Sequence, residues 1–159
     1  MATVTLITVG TLKEAYLRDA VSEYKKRLSQ YARVEEIELK EERIQNEDNK
    51  AEIDAALSRE ADKILSAIPK DSMKIALCVE GKQYSSEELA AMVSEGIDNS
   101  GKITFIIGSS YGLDNRVKRE CDIKLSFSRL TFPHQLMKVV LFEAIYRSFT
   151  IIHKKRYHK

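Results

Sequence analysis

Two short β-branched runs, each followed by a loop and then a helical pattern, constrain the fold of this chain more than any other feature. The first run is Ile103 to Ile107, and the loop Gly108 to Gly112 follows it. The second run is Ile123 to Phe127, which leads through the loop Ser126 to Pro133 into an apolar helical segment. Strand-like and helical patterns alternate along the whole chain, which predicts an α/β fold: a mostly parallel sheet with helices on both faces.

The remaining patterns predict the other elements of this fold. In chain order they are a strand at 4–9, a helix at 14–31, a half-exposed edge strand at 34–39, a helix at 53–68, a central strand at 73–79, a helix capped by Ser85 and Glu88, and a short helix at 115–120 capped by Asp114. No repeat, low-complexity stretch or linker interrupts them. We therefore predict one domain over residues 1–159.

The predicted last helix, which begins near Pro133 and ends around Ile152, is apolar on nearly every side. Proline suits the first turn of a helix, because its missing N–H would be unpaired there anyway. A helix that is apolar all round is buried on more than one face. In a chain of 159 residues, we expect a second copy of the protein to cover one of these faces.

Composition and targeting signals predict a cytoplasmic protein that does not enter a membrane. No apolar run approaches the ~18 residues of a membrane span. The first ten residues lack a basic segment and resemble a strand more than a signal peptide. Cys78 and Cys121 are the only cysteines, which argues against a disulfide framework and excludes a four-cysteine zinc site.

The charge of the chain is unevenly distributed, although its net value is only +2. From Arg116 to Lys159 there are eleven Lys and Arg residues against three Asp and Glu. The last seven residues read H-K-K-R-Y-H-K. A basic end that contains an aromatic residue can contact phosphates and stack on a base, whereas the alternative is a solvated basic tail.

Three loops are predicted to meet at the carboxyl edge of the sheet, where open α/β sheets bind ligands: Glu80 to Lys82, Gly108 to Gly112 and Ser126 to Phe132. Loops rich in Gly and Ser expose backbone groups that can hydrogen-bond a nucleoside without adding charge. The loop G-S-S-Y-G is neither the G-x-G-x-x-G fingerprint nor a P-loop with its lysine. The pattern disfavours dinucleotide and nucleoside triphosphate sites. It leaves open a nucleotide-like ligand or a plain tight turn.

Other catalytic patterns are weak. There is no G-x-S-x-G elbow, neither cysteine is flanked by a histidine, and the three histidines lack the spacing of a helical zinc site, so no metal is expected. Glu143 and Arg147 lie four residues apart on the apolar helix. They form either an ordinary intrahelical ion pair or part of a functional site that justifies burying charge.

Four segments together resemble the RlmH family of small SPOUT-class methyltransferases. They are G-S-S-Y-G-L after a strand, L-S-F-S-R-L-T-F-P-H-Q-L-M, E-A-I-Y-R and the terminal Y-H-K. The similarity covers nearly the whole chain, from T-V-G-T-L-K-E-A-Y near the start to Lys159. One departure is Ser109, where the family usually has a second glycine. Serine would fit poorly if this position needed a positive φ.

The resemblance implies a fold that pattern reading alone would not propose. The C-terminal segment of the family threads through a loop and forms a trefoil knot, and knots are almost absent from proteins. The knot loops hold S-adenosylmethionine in a bent shape. Carried over by position, the implied cofactor contacts are Leu77, Gly108, Phe127, Ser128, Arg129, Leu130, Thr131 and Phe132. The resemblance also implies a homodimer in which the tail of one subunit lies near the cofactor of the other.

The implied reaction is methyl transfer to N3 of a pseudouridine in large-subunit (23S) ribosomal RNA. Because that nitrogen bears a proton, we expect a base or an anion-stabilising group nearby. We predict that Tyr157 and His158 bind the base or handle the proton, with His158 favoured as general base, and that Arg147 and Glu143 orient or polarise the base. The predicted RNA contacts are Lys154, Lys155 and Arg156.

The sequence alone leaves three functions open. The first is the ribosomal RNA methyltransferase, which acts on an assembled ribosome because the chain has no separate RNA-binding domain. The second is a methyltransferase of the same fold that acts on another RNA. The third is a non-catalytic RNA- or nucleotide-binding module, and a test for binding of S-adenosylmethionine would separate it from the other two.

Overall fold

The computed structural model describes all residues from Met1 to Lys159. Five strands alternate with five helices, as the sequence predicts. The elements are β1 (Ala2–Val9), α1 (Ala15–Leu28), β2 (Ala32–Leu39), α2 (Lys50–Ala67), β3 (Met73–Lys82), α3 (Ser86–Ser100), β4 (Lys102–Ile107), α4 (Asn115–Glu120), β5 (Ile123–Leu125) and α5 (His134–Ile152).

The strands form one sheet in the order β2-β1-β4-β3-β5, and every pair is parallel. This confirms the predicted α/β class and the edge position of β2. The strand order is consistent with the knot that the resemblance implies, and the knot itself stays a prediction. None of the five helices combines the length and the apolar character that a bilayer span requires.

Two hydrophobic clusters cover the two faces of the sheet. The larger cluster packs α1, α3 and α5 on one face, and its fully buried side chains include Phe105, Phe142 and Phe149. The smaller cluster packs α2 and α4 on the opposite face around Ile7, Ile64 and other apolar residues. Helices on both faces are what a parallel sheet requires, because its strands are apolar on each side.

The helix caps that the sequence predicts are formed in the structure. Ser85 and Glu88 form a reciprocal capping box at the start of α3, and Gly101 ends that helix in the left-handed conformation with φ 72°. The Asp114 side chain accepts a hydrogen bond from the backbone N–H of Arg116 and so caps α4. These residues fix where the helices begin and end, and hence where the intervening loops lie.

Several predicted boundaries differ from the structure: α1 ends at Leu28 and not at residue 31, β1 and β2 each begin two residues earlier than predicted, and three further boundaries differ near the carboxyl edge of the sheet. β3 continues past Val79 to Lys82, because the backbone N–H of Ser126 donates to the carbonyl of Lys82 at 2.9 Å and extends the pairing. β5 ends at Leu125 instead of Phe127, since the chain turns there into a loop. Pro133 is the N-cap residue of α5 with ψ 132°, so it precedes the first turn instead of lying in it.

Candidate active site

A cavity of about 700 Å³ lies at the carboxyl edge of the sheet, where β3, β4 and β5 end. The three loops that the sequence places there all contribute to it, together with the start of α5. Its wall includes Leu77, Glu80, Gly108–Leu113, Lys118, Ser126–Ser128, Leu130–His134 and Met137. A cavity of this size, with many apolar and few charged groups, suits a small organic ligand.

The loop after β4 is tightly folded against itself. The N–H of Gly112 donates to the carbonyl of Ser109 at 2.9 Å, and Gly112 has a φ of 89° that favours glycine. A Cβ on Gly108 would lie 2.2 Å from the carbonyl oxygen of Gly112. The glycines therefore allow a close turn whose backbone groups line the cavity.

Ser109 fits this loop without backbone strain, because it does not have a positive φ. Its side chain is buried and lies beside the carboxyl of Glu60 on α2. Burial raises the pKa of Glu60, although the hydrogen bond from the backbone N–H of Glu42 and the nearby Ser109 hydroxyl partly offset this effect. Ser109 thus places a hydroxyl beside a buried carboxyl, and its Oγ accepts a hydrogen bond from the backbone N–H of Tyr111 at 3.4 Å.

The loop after β5 is ordered by its own serines. The Oγ of Ser128 accepts a hydrogen bond from the N–H of Leu130 at 2.9 Å, and the Oγ of Ser126 donates to the carbonyl of Ser128. Gly81 in β3 lies so close to β5 that a Cβ there would come within 2.7 Å of the carbonyl oxygen of Lys124. Arg129 is exposed and is the one predicted cofactor residue that does not line the cavity.

Lys118 and Glu80 form an ion pair at the cavity wall. The lysine lowers the pKa of the Glu80 carboxyl. Burial raises the pKa of the neighbouring Cys78 thiol, so this thiol is a poor nucleophile at neutral pH. No group of three or more His, Cys, Asp and Glu side chains is arranged to hold a metal ion.

The C-terminal tail turns back over α5. Lys154 adopts a positive φ of 54°, and the N–H of Lys155 donates to the carbonyl of Thr150 at 2.8 Å. Lys154, Lys155 and Arg156 are exposed, and none of them forms an ion pair within the chain. The turn thus presents three free cations and directs the last residues toward α3 and α5.

The structure brings together the four residues predicted to be catalytic. The hydroxyl of Tyr157 donates to Oε2 of Glu143 at 2.8 Å, and the guanidinium of Arg147 donates to Oε1 of the same carboxylate at 2.8 Å. This guanidinium also lies 4.7 Å from the centre of the Tyr157 ring. His158 lies 3.3 Å from Arg147, measured between Nδ1 and Nη1. Glu143 and Arg147 thus form an intrahelical ion pair that also anchors the tail.

The protonation states in this cluster follow from its contacts. Burial opposes ionisation of Glu143, but hydrogen bonds from Tyr157, Tyr24 and Arg147 outweigh it, so the pKa of this carboxyl is lowered. Burial raises the pKa of Tyr157, and the adjacent carboxylate raises it further. The same two causes raise the pKa of Tyr24. Both hydroxyls therefore stay protonated at neutral pH, and neither is suited to accept a proton.

We call Glu143, Arg147, Tyr157 and His158 the tail cluster. Two further residues lie beside it that the sequence patterns did not predict: Tyr24 on α1 and Glu87 on α3. Oε1 of Glu87 lies 2.7 Å from Nε2 of His158. Tyr24 lies in the apolar repeat of an ordinary amphipathic helix, and Glu87 occupies the first turn of α3, where acidic residues are common. No local signal separated either residue from its neighbours.

The cavity and the tail cluster lie apart within one chain. Met137, at the cavity, and Arg147, in the cluster, are separated by ten residues along α5, about 15 Å at the rise of an α-helix. None of the four predicted catalytic residues lines the cavity. The tail of a chain therefore does not form part of the wall of that chain's own cavity.

Comparisons with known proteins give a consistent assignment. Residues 2–158 match the family described as "Predicted SPOUT methyltransferase". The chain is 50% identical, over 97% of its length and 98% of the relative's, to "Ribosomal RNA large subunit methyltransferase H" of Caldicellulosiruptor bescii. It is 46% identical over 97% of its length to the protein of the same name from Streptococcus suis, of which it covers 98%.

A solved structure of "a probable methylase family protein" from Haemophilus influenzae resembles this fold with a TM-score of 0.52. The similarity covers 99% of this chain and 70% of that one, and at 14% identity it concerns the fold alone. The family match and the close relatives extend over almost the whole sequence. This chain therefore belongs to the SPOUT methyltransferase family, among the proteins named ribosomal RNA large subunit methyltransferase H.

Proposed function

We propose that this protein methylates N3 of a pseudouridine in large-subunit (23S) ribosomal RNA, with S-adenosylmethionine as the methyl donor. The observation that carries the proposal is the cavity at the carboxyl edge of the sheet, in a chain whose relatives are named as ribosomal RNA methyltransferases. Its volume and its mixture of apolar side chains and free backbone groups suit a nucleoside that carries a short amino acid chain.

The residues around the cavity fit this cofactor. Leu77 and Phe127 supply apolar surface for a flat base, and the Gly108 turn lets backbone atoms approach a ligand closely. The loop from Phe127 to Phe132, including Arg129, would close over it. S-adenosylmethionine supplies an electrophilic methyl group on a sulfonium, so the protein's task is to align this group with the target nitrogen.

The tail cluster supplies the groups that would meet the target base. Tyr157 stays protonated and hydrogen-bonded to Glu143, so it serves as a donor and not as the base. Arg147 and Glu143 hold the tail and would orient the pyrimidine ring. His158 is then the proposed acceptor of the N3 proton, because imidazole is the tail group best suited to proton transfer near neutral pH.

Recognition of RNA is proposed to depend on the assembled ribosome. The family match extends over residues 2–158, and we propose that they act as a single domain. The unpaired cations of Lys154, Lys155 and Arg156 would contact phosphates beside the target. Such a protein would work in the cytoplasm, where ribosomes are present.

We further propose that two copies of the chain build each active site. None of the four tail-cluster residues lines the cavity of its own chain, and Arg147 lies about 15 Å from Met137 along α5. In a homodimer, the tail of one subunit would reach the cavity of the other. Leu130 and Phe132, which are exposed apolar residues at the cavity rim, would gain cover from such a contact.

A methylation assay with radiolabelled S-adenosylmethionine tests the proposal. It compares free ribosomal RNA, isolated large subunits and assembled ribosomes, each with the wild type and with His158→Ala. We expect label at one pseudouridine, predominantly with assembled ribosomes, and much less with the variant. Binding of the cofactor without methylation of any of these substrates would favour a different RNA. No binding of the cofactor would leave only a non-catalytic module.

A further inference from the structure

His158 is held between two helices by both nitrogens of its ring. Its Nε2 lies 2.7 Å from Oε1 of Glu87 on α3, and its Nδ1 lies 3.3 Å from Nη1 of Arg147 on α5. Glu87 occupies the first turn of α3, next to the capping box of Ser85 and Glu88. The carboxylate is therefore carried by a well-defined helix start and not by a mobile loop.

These two contacts determine the tautomer of the neutral ring. A guanidinium has only donors, so Nδ1 must accept the hydrogen bond from Arg147. A carboxylate has only acceptors, so Nε2 must carry the proton and donate it to Glu87. Nδ1 is consequently the basic nitrogen of His158, and it faces the arginine that the target base would have to displace.

We propose that Glu87 is a positioning residue for methyl transfer: it accepts the Nε2 proton of His158 and so directs the basic Nδ1 toward the target base. This inference rests on the proposed function of the tail. The physical reasoning is that of hydrolase triads, in which a carboxylate orients a histidine without itself contacting the substrate. Glu87 is on a different element from the tail and would act only through His158.

Because Glu87 is exposed, its effect on methyl transfer can be measured separately from any effect on folding stability. Its side chain is 65% exposed and that of His158 is 26% exposed. Exposed pairs of this kind contribute little to folding, so removing the carboxylate should leave the fold intact. A defect in Glu87→Ala would then report on orientation of His158. Glu95, which is exposed on the same helix, provides a control with the same change of charge.

The experiment combines ring-nitrogen NMR with single-turnover methylation of ribosomes. In the neutral ring, recorded at about pH 8.5, the ¹⁵N shifts of His158 should show the proton on Nε2. Glu87→Ala should lower the rate at saturating ribosome by about 10-fold or more, the effect of removing a carboxylate that orients a histidine in metal sites. Cofactor affinity should not change.

Glu87→Gln should recover most of that rate, because its amide oxygen still accepts from Nε2, and Glu95→Ala should match the wild type. A proton on Nδ1, or a wild-type rate in Glu87→Ala, would overturn the inference. A different result would contradict the proposed function: the wild type itself would transfer no methyl group to any RNA substrate. A variant that loses only ribosome affinity and keeps its rate would also exclude a positioning role.

Discussion

The ammonium of Lys138 on α5 lies 2.8 Å from Oε2 of Glu36 on the edge strand β2, and the side chain of this lysine is only 5% exposed. Lys25 on α1 contacts the other oxygen of the same carboxylate at 2.7 Å. A buried lysine needs such a partner, because the cost of removing an ion from water is several kcal/mol. The pair therefore ties the helix that carries the tail to the edge of the sheet.

Glu36→Gln should destabilise the fold by about 3 kcal/mol, because it leaves the Lys138 ammonium buried without a counter-charge. The double variant Glu36→Gln with Lys138→Met should lose less than Glu36→Gln alone, since no unpaired charge remains. Urea unfolding of the wild type, both single variants and the double variant measures this. If the double variant and Glu36→Gln lost equal amounts of unfolding free energy, the unpaired Lys138 charge would not be the cause.

The same pair predicts how stability depends on pH. Burial opposes ionisation of Glu36, but hydrogen bonds from Lys138 and Lys25 outweigh it, so the pKa of this carboxyl is below its ordinary value of 4.5. Its contribution to stability is therefore complete above about pH 4.5 and is lost as the pH falls through the lowered pKa. The difference in unfolding free energy between the wild type and Glu36→Gln should be largest near neutral pH and should shrink in acid.

Gly108→Ala should abolish cofactor binding through the loop itself. The added Cβ would lie 2.2 Å from the Gly112 carbonyl oxygen, so the backbone must move. A larger side chain would collide with this backbone before it reached the ligand. Gly101→Ala is the matched control: its φ of 72° makes alanine cost about 1 kcal/mol, but no atom lies within 4 Å of the added Cβ. Calorimetry should show lost affinity for S-adenosylmethionine only in the Gly108 variant.

Lys154 combines a predicted phosphate contact with a positive φ of 54°, so two substitutions separate these properties. Lys154→Ala and Lys154→Gly both remove the charge, and both should weaken ribosome binding and reduce its salt slope by about 1. Only glycine relieves the backbone strain, by about 1 kcal/mol. Thermal unfolding and binding at two salt concentrations measure the two effects. Unchanged binding in both variants would indicate a solvated tail.

The sequence was sufficient to predict those structural features that depend on residues close together along the chain. The capping box of Ser85 and Glu88 and the cap of Asp114 are local, as is the alternation of strand and helix that determines the sheet. The contact of Glu87 with His158 spans 71 positions and requires the reversal of the chain at Lys154. A positive φ in a lysine has no signal in the sequence, so this part of the site could not be predicted.

A mixing experiment tests whether each site is shared between two chains. Gly108→Ala impairs the cavity and His158→Ala impairs the tail, so each variant alone should be nearly inactive. In a mixed dimer with shared sites, one site combines the intact cavity of one chain with the intact tail of the other, and the second site carries both defects. Random exchange between the two homodimers should therefore restore about a quarter of the active sites.

Single-turnover methylation after mixing, dissociation in mild denaturant and reassembly measures this recovery. If the mixture stays as inactive as its components while sedimentation shows mixed dimers, the tail serves the cavity of its own chain, and α5 must rearrange to bring them together.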